Sequence, residues 1–172
     1  MTTDTRIAAL QRPVRRQLEQ VQRRLEGLFK TPIPILNQVG GHVLATRGKK
    51  FRPTLLLLTA QLRGKVGPEA ITCAAVVELV HAASLIHDDI EDEDATRYGE
   101  PTLHAEHGIA VALNVGDLLI GEGYRLLAAA NVSAGQRAAM IAVASAGQRE
   151  LSRGQGAELL WARKPEPLTS LQ

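Results

Sequence analysis

Apolar side chains recur at steps of three and four along residues 3–29, and charged residues fill the positions between them. This spacing matches one face of an α-helix and predicts an amphipathic helix packed against a core. Pro13 lies inside the pattern and is expected to divide the helix or to mark its true start. The apolar positions are Ile7, Leu10, Val14, Leu18, Val21, Leu25 and Leu28.

The rest of the chain also reads as helix. Pro53 and Pro68 each suit the first turn of a helix, where a missing N–H removes no hydrogen bond. Gly99 and Pro101 mark a charged loop, and no stretch alternates with period two, so we expect no sheet. The predicted helices cover residues 34–46, 53–64, 68–90, 103–131 with a break at Gly108, and 133–162, and the loop covers 91–102.

Composition agrees with an all-α protein and excludes several functions. Hydrophobic residues make up 45% of the 172 positions and aromatic residues only 3%, so the core is built mainly from aliphatic helix formers. A net charge of +2 does not indicate a nucleic-acid partner. The lone Cys73 permits no internal disulfide, which suits a cytoplasmic location. The amino terminus has no signal-peptide core, and the apolar run at 55–58 is too short for a transmembrane segment.

Carboxylates collect at the carboxyl end of the apolar helix predicted over 68–90. A helix advances about 100° per residue, so Asp88 and Asp92 lie about 40° apart on one face, and His81 lies about 20° from Asp88. Like charges at this spacing, near the negative end of a helix dipole, require a compensating cation. Carboxylate oxygens suit Mg²⁺, which shares its ligand shell with phosphate oxygens. The alternative is a solvated acidic helix end.

Basic residues collect just before the helix that Pro53 opens. Lys49 and Arg52 are three residues apart and precede this predicted helix start, and a helix amino terminus with two cations suits a diphosphate. The alternative is a solvated basic turn, and we assign Lys50 to solvent. His81 has the alternative of a core histidine bonded to a backbone carbonyl.

Three segments carry a family resemblance. Residues 48–53 (GKKFRP), 81–92 (HAASLIHDDIED) and 97–102 (RYGEPT) resemble the GK(R/K)xRP segment, the first DDxxD motif and the RRGxPT segment of the trans-isoprenyl diphosphate synthases. This family includes geranylgeranyl and longer-chain polyprenyl diphosphate synthases. The pairs Gly116–Asp117 and Gly154–Gln155 are weaker matches. The resemblance implies an isoprenoid-synthase-type helical bundle and prenyl transfer from an allylic diphosphate to isopentenyl diphosphate.

The resemblance also implies a role for each matching residue. Tyr98 departs from the pattern, because it stands where the family usually has a second arginine that binds isopentenyl diphosphate. The implied site comprises Asp88 and Asp92 as Mg²⁺ ligands, Asp89 in support, Arg97 on the allylic diphosphate, and Lys49, Arg52 and His81 on isopentenyl diphosphate.

Small residues lie below the aspartates, where bulk limits product length in the family. Ala83, Ser84 and Val80 form no aromatic floor, so the resemblance favours products of geranylgeranyl length or longer. The alternative is that these small residues allow helices to pack closely.

The resemblance covers residues 1–172 as the amino-terminal part of a single synthase domain. The family's second aspartate-rich motif has no counterpart in the sequence, so we expect this half alone to lack turnover, while the full-length family form is a homodimer. One alternative is a non-catalytic subunit of a hetero-oligomeric synthase. Another is a helical-bundle carboxylate metal protein, because Glu78 and His81 form one of the two Glu-x-x-His pairs that such sites need.

Overall fold

The computed structural model describes residues 3–28, 34, 37 and 49–165. The predicted helix over 34–46 lies outside these residues, apart from two positions. The prediction of an all-α fold is confirmed. The helices are α1 (Thr3–Gln11), a 3₁₀ turn (Arg12–Val14), α2 (Arg15–Glu26), α3 (Phe51–Leu62), α4 (Pro68–Glu91), α5 (Leu103–His107), α6 (Ile109–Ala128) and α7 (Ala134–Arg163).

The first predicted helix is divided at Pro13. The proline lies in the 3₁₀ turn, where its missing N–H interrupts the α-helical hydrogen-bond pattern. After the turn, the predicted apolar face is buried. Its core side chains are Val14, Leu18, Val21 and Leu25.

Helix α4 lies at the centre of the core and packs against α2, α3 and α6. Ala74, Ala75 and Ala83 are fully buried along it, and side chains this small let neighbouring helices pack closely. Among the described residues, only α4 is long and apolar enough to cross a membrane by length and composition. A buried core helix meets the same criterion, so this is weak evidence for a span.

The prediction of no sheet is wrong over residues 96–101. Strands β1 (Thr96–Arg97) and β2 (Glu100–Pro101) pair antiparallel, with Arg97 opposite Glu100. The two residues of the turn, Tyr98 and Gly99, both have positive φ, of 55° and 87°. A hairpin with a two-residue turn of this kind requires positive φ at both positions. Each strand is too short to give the alternating pattern by which a strand is recognised.

The last two predicted helices are confirmed. Gly108, at φ 85°, separates α5 from α6. Ser133 opens α7 with a capping box, because its hydroxyl accepts from the amide of Gln136 and the Gln136 side chain accepts from the amide of Ser133. Helix α7 packs mainly on α6, and none of its described residues is fully buried.

Candidate active site

The acidic end of α4 carries Asp88 and Asp92 one helical turn apart. The amide of Asp92 donates to the carbonyl of Asp88 at 2.8 Å. Burial raises the pKa of the Asp88 carboxyl, and the negative charge of Asp92 raises it further. The positive charge of Arg97 lowers it. The two carboxylates therefore repel each other from one side of the helix, as the predicted common face requires, and a cation would relieve that repulsion.

The middle aspartate has a different environment. The Asp89 side chain is only 9% exposed, and the Nε of Arg97 donates to its Oδ1 at 2.5 Å. The Nη2 of Arg97 lies 3.9 Å from Oδ2 of Asp94. The Arg97 guanidinium is thus attached to α4 through Asp89, directly beside the acidic pair.

The hairpin that carries Arg97 is fixed to the end of α4 by its own hydrogen bonds. The amide of Asp94 donates to the carbonyl of Asp89 at 3.0 Å. The buried Thr102 hydroxyl donates to the carbonyl of Asp94 at 2.7 Å. Tyr98 lies at the tip and is 94% exposed. The hairpin therefore places Arg97 toward α4 and leaves Tyr98 in solvent.

The basic side of the site joins α3 to the middle of α4. The Nη1 of Arg52 lies 2.8 Å from Nε2 of His81, so a neutral imidazole accepts from the guanidinium. Burial lowers the pKa of His81, and the charges of Arg52 and Arg97 lower it further. His81 is therefore a neutral acceptor that orients Arg52, and the alternative of a simple core histidine does not describe it.

The two lysines occupy the start of α3. Lys49 is exposed, and its carbonyl accepts from Nε2 of Gln11 at 2.8 Å. The expectation that Lys50 is solvated is wrong: it is half-buried, and its ammonium donates to Oε1 of Gln22. Both lysines border an open cavity of about 570 Å³ beside α1 and α2. They mark the edge of the basic region nearest the amino-terminal helices.

The acidic and basic groups form one connected region. The Arg97 charge lowers the pKa of both the Asp88 carboxyl and the His81 imidazole, while His81 contacts Arg52. The structure therefore brings Arg52 to the segment that carries His81, Asp88, Asp92 and Arg97, although Arg52 and His81 are 29 residues apart in sequence. The roles assigned to them remain predictions.

The residues predicted to set product length are divided between two environments. Ala83 is fully buried in the hydrophobic core. Val80 and Ser84 are half-buried, and the Ser84 hydroxyl donates to the carbonyl of His81 at 2.9 Å. The position of Ala83 agrees with the close-packing alternative, and the prediction about product length stays untested.

The residues of α6 that face the acidic end were not assigned a role from the sequence. A Cβ on Gly116 would lie 2.3 Å from Nε2 of His87, so only glycine leaves room for this imidazole. Oδ1 of Asp117 lies 3.7 Å from the same nitrogen, which is buried and has no hydrogen-bond partner among the described residues. A glycine inside an apolar helix is the sequence signal for such a close approach.

The donor set fits a hydrated magnesium ion. In the part of the chain that the structure describes, no group of three or more His, Cys, Asp or Glu side chains could enclose a metal. Two mutually repelling carboxylates suit Mg²⁺, which keeps several waters and takes further oxygens from phosphate. The alternative of a helical-bundle carboxylate metal protein requires a larger cluster of ligands than Glu78 and His81 provide.

Comparisons with known proteins agree with this fold and with these motifs. The structure resembles geranylgeranyl pyrophosphate synthetases of the archaea Geoglobus acetivorans (TM-score 0.82, 29% identity, 91% of this chain and 51% of that chain) and Pyrococcus horikoshii (TM-score 0.83, 30% identity, 93% and 49%). The architecture is therefore part of the helical isoprenyl synthase fold. The chain spans about half the length of these solved proteins.

Sequence comparisons identify the family. The family model for polyprenyl synthetase matches residues 33–171, and the chain belongs to this family. The chain is 35% identical over 111 residues to the octaprenyl diphosphate synthase of Haemophilus influenzae, covering 64% of this chain and 34% of the relative. It is 39% identical over 108 residues to the geranylgeranyl pyrophosphate synthase of Geoglobus acetivorans, covering 62% and 34%. The resemblance stated from the motifs is confirmed.

Proposed function

We propose that this chain supplies the first half of the active site of a prenyltransferase that condenses isopentenyl diphosphate with an allylic prenyl diphosphate. The observation that carries the proposal is that one helix, α4, holds two guanidinium groups: Asp89 accepts from Arg97 at 2.5 Å beside the acidic pair, and His81 lies 2.8 Å from Arg52. A reaction between two diphosphates requires two anion sites next to each other. Family membership and the names of the relatives agree with this activity.

The chemistry places developing negative charge on the allylic diphosphate. Its C–O bond breaks, the double bond of isopentenyl diphosphate attacks the allylic cation, and a proton is then lost. Arg97 donates hydrogen bonds to the departing diphosphate and stabilises its charge. Asp88 and Asp92 would hold Mg²⁺, which supplies further positive charge to the diphosphate when it is bound.

The second diphosphate belongs to the basic side. Arg52, oriented by the neutral His81, presents its remaining N–H groups to isopentenyl diphosphate. Lys49, at the start of α3, adds a second cation. The exposed Tyr98 offers no charge, so this substrate is held by the α3 side of the site. We place the reaction in the cytoplasm and expect the complete protein to act as a homodimer.

A prenyl-transfer assay tests the proposal. Purified chain is given labelled isopentenyl diphosphate, farnesyl diphosphate and Mg²⁺, first alone and then with a full-length family enzyme whose own first aspartate motif has been neutralised. We expect prenyl transfer in at least one arm and its loss with Asp88→Asn, while Glu158→Gln on the exposed side of α7 retains it. Activity only in the second arm assigns the chain to a hetero-oligomeric synthase.

The assay can also refute the proposal. A folded chain that gives no transfer in either arm, and that binds no allylic diphosphate in the presence of Mg²⁺, does not contribute to this active site. Equal activity of Asp88→Asn and Glu158→Gln would show that the acidic end of α4 is not the diphosphate site.

A further inference from the structure

The three aspartates at the end of α4 do not share one environment. Asp88 is half-buried and Asp92 is exposed, whereas the Asp89 side chain is 9% exposed. Successive helix residues point about 100° apart, so Asp89 faces a different direction from Asp88. Its Oδ1 already accepts the Nε–H of Arg97 at 2.5 Å.

The hairpin makes this contact specific. It is held by the β1–β2 pairing and by the hydrogen bonds from Asp94 to the Asp89 carbonyl and from Thr102 to the Asp94 carbonyl. These bonds fix the backbone near Arg97 but leave its long side chain free to rotate. The Asp89 carboxylate is the buried group that selects one orientation, because a buried carboxylate requires a charged partner.

The resemblance assigns the metal to Asp88 and Asp92 and leaves Asp89 only a supporting role; we propose that this role is to position Arg97. Asp89 holds Nε, so that Nη1 remains available to a diphosphate between the acidic and basic sides of the site. Nη2 lies 3.9 Å from Oδ2 of Asp94, beyond hydrogen-bond distance, and can turn to the same ligand. This inference rests on the proposed function, since it assigns the division of labour inside that site.

The position of Arg97 agrees with this division. Its side chain is 29% exposed, so part of the guanidinium can reach a ligand while Nε is bonded to Asp89. A guanidinium released from Asp89 would keep its charge but lose the preset direction of its donors, which lowers affinity.

A double-mutant cycle tests the inference. Binding of a thio-analogue of farnesyl diphosphate is measured at several Mg²⁺ concentrations for the wild type, Asp89→Asn, Arg97→Gln and the double variant, with Asp88→Asn as the reference for loss of a metal ligand. We expect Asp89→Asn to weaken binding about tenfold, the scale of one charge-assisted hydrogen bond. For Asp89→Asn, the Mg²⁺ concentration that gives half-maximal analogue binding stays at the wild-type value. The double variant binds the analogue no more weakly than Arg97→Gln.

Two results of the cycle overturn the inference. One is a rise in the Mg²⁺ requirement of Asp89→Asn that matches that of Asp88→Asn, which is the behaviour of a metal ligand. The other is a double variant whose fold-loss in affinity equals the product of the losses of the two single variants, which is the behaviour of independent groups. Far-UV circular dichroism establishes that each variant is folded.

A measurement without ligand separates this inference from the proposed function. In the free wild-type protein, the Nε–H of Arg97 should give a slowly exchanging NMR signal that is lost in Asp89→Asn and kept in Asp88→Asn. An Arg97 signal that exchanges as fast as that of the exposed Arg149 overturns the inference, even if Asp89→Asn fails to fold. A wild-type chain that shows the slow signal but binds no analogue overturns the proposed function alone.

Discussion

Replacing Gly116 by alanine is expected to displace the His87 ring or to move α6 away from the acidic end of α4. The new Cβ would lie 2.3 Å from Nε2 and 2.8 Å from Cδ2 of His87, whereas ordinary contact begins at 3.4 Å. The ring or the helix must therefore move by about 1 Å, and overpacking of this kind costs about 1–3 kcal/mol of unfolding free energy. Because His87 precedes Asp88, the shift should also weaken analogue binding.

Gly121 on the same helix provides the matched control. A Cβ there meets nothing within 4 Å, so Gly121→Ala should raise the unfolding free energy by about 1 kcal/mol through helix propensity alone. Both alanine variants share this gain. The difference between their unfolding free energies therefore measures the cost of overpacking, about 1–3 kcal/mol, which corresponds to roughly 2–12 °C in Tm. Urea unfolding followed by circular dichroism gives the free energies.

The contact with His87 can be isolated further. In a His87→Ala background the imidazole is absent, so Gly116→Ala should become as favourable as Gly121→Ala. If Gly116→Ala is already as stable as Gly121→Ala with His87 present, then the two helices do not approach as described and the reasoning is refuted.

Three further predictions follow from buried side chains. The pKa of His81 should lie below 6.5, and Arg52→Ala should raise it part of the way back; ring NMR titration measures both, and an unchanged midpoint contradicts the contact. Because a lowered pKa means that the His81 imidazole binds a proton more tightly in the unfolded state than in the folded state, the unfolding free energy should fall as the pH drops from about 6.5 toward the folded pKa. Leu79→Ala, at a fully buried position, should cost about 2–5 kcal/mol in urea unfolding, whereas Leu62→Ala, at an 88% exposed one, should cost much less; equal losses would contradict the core. Burial raises the pKa of the Cys73 thiol, so alkylation should be slow in the native protein and fast in urea, and equal rates would contradict its burial.

Periodicity predicted a helix well where that helix buries a continuous apolar face. The steps from Val14 to Leu25 gave the buried side of α2, and Gly108 gave the break between α5 and α6. The same periodicity placed Asp88 and Asp92 on one face of α4. Local sequence carries this information, since a helix relates residues three and four apart.

Tertiary contacts of the site could not be read in this way. Whether Asp89 supports the metal or holds Arg97 depends on where the hairpin folds back, and its two-residue strands have too few positions to show a period. The role of Gly116 depends on the ring of His87, which comes from another helix. The half-buried state of Lys50 likewise depends on Gln22, which is 28 residues away.

The most direct test of the account is to locate a metal–diphosphate complex on the protein. Mn²⁺ accepts the same oxygen ligands as Mg²⁺, and its unpaired electrons broaden nearby NMR signals. Added together with inorganic pyrophosphate, it should broaden the amide signals of Asp88, Asp92 and Arg97 first, then those of His81 and Arg52, and should spare the exposed side of α7. Broadening centred away from the end of α4, or unchanged in Asp88→Asn, would contradict the central claim that these carboxylates join a metal to a diphosphate.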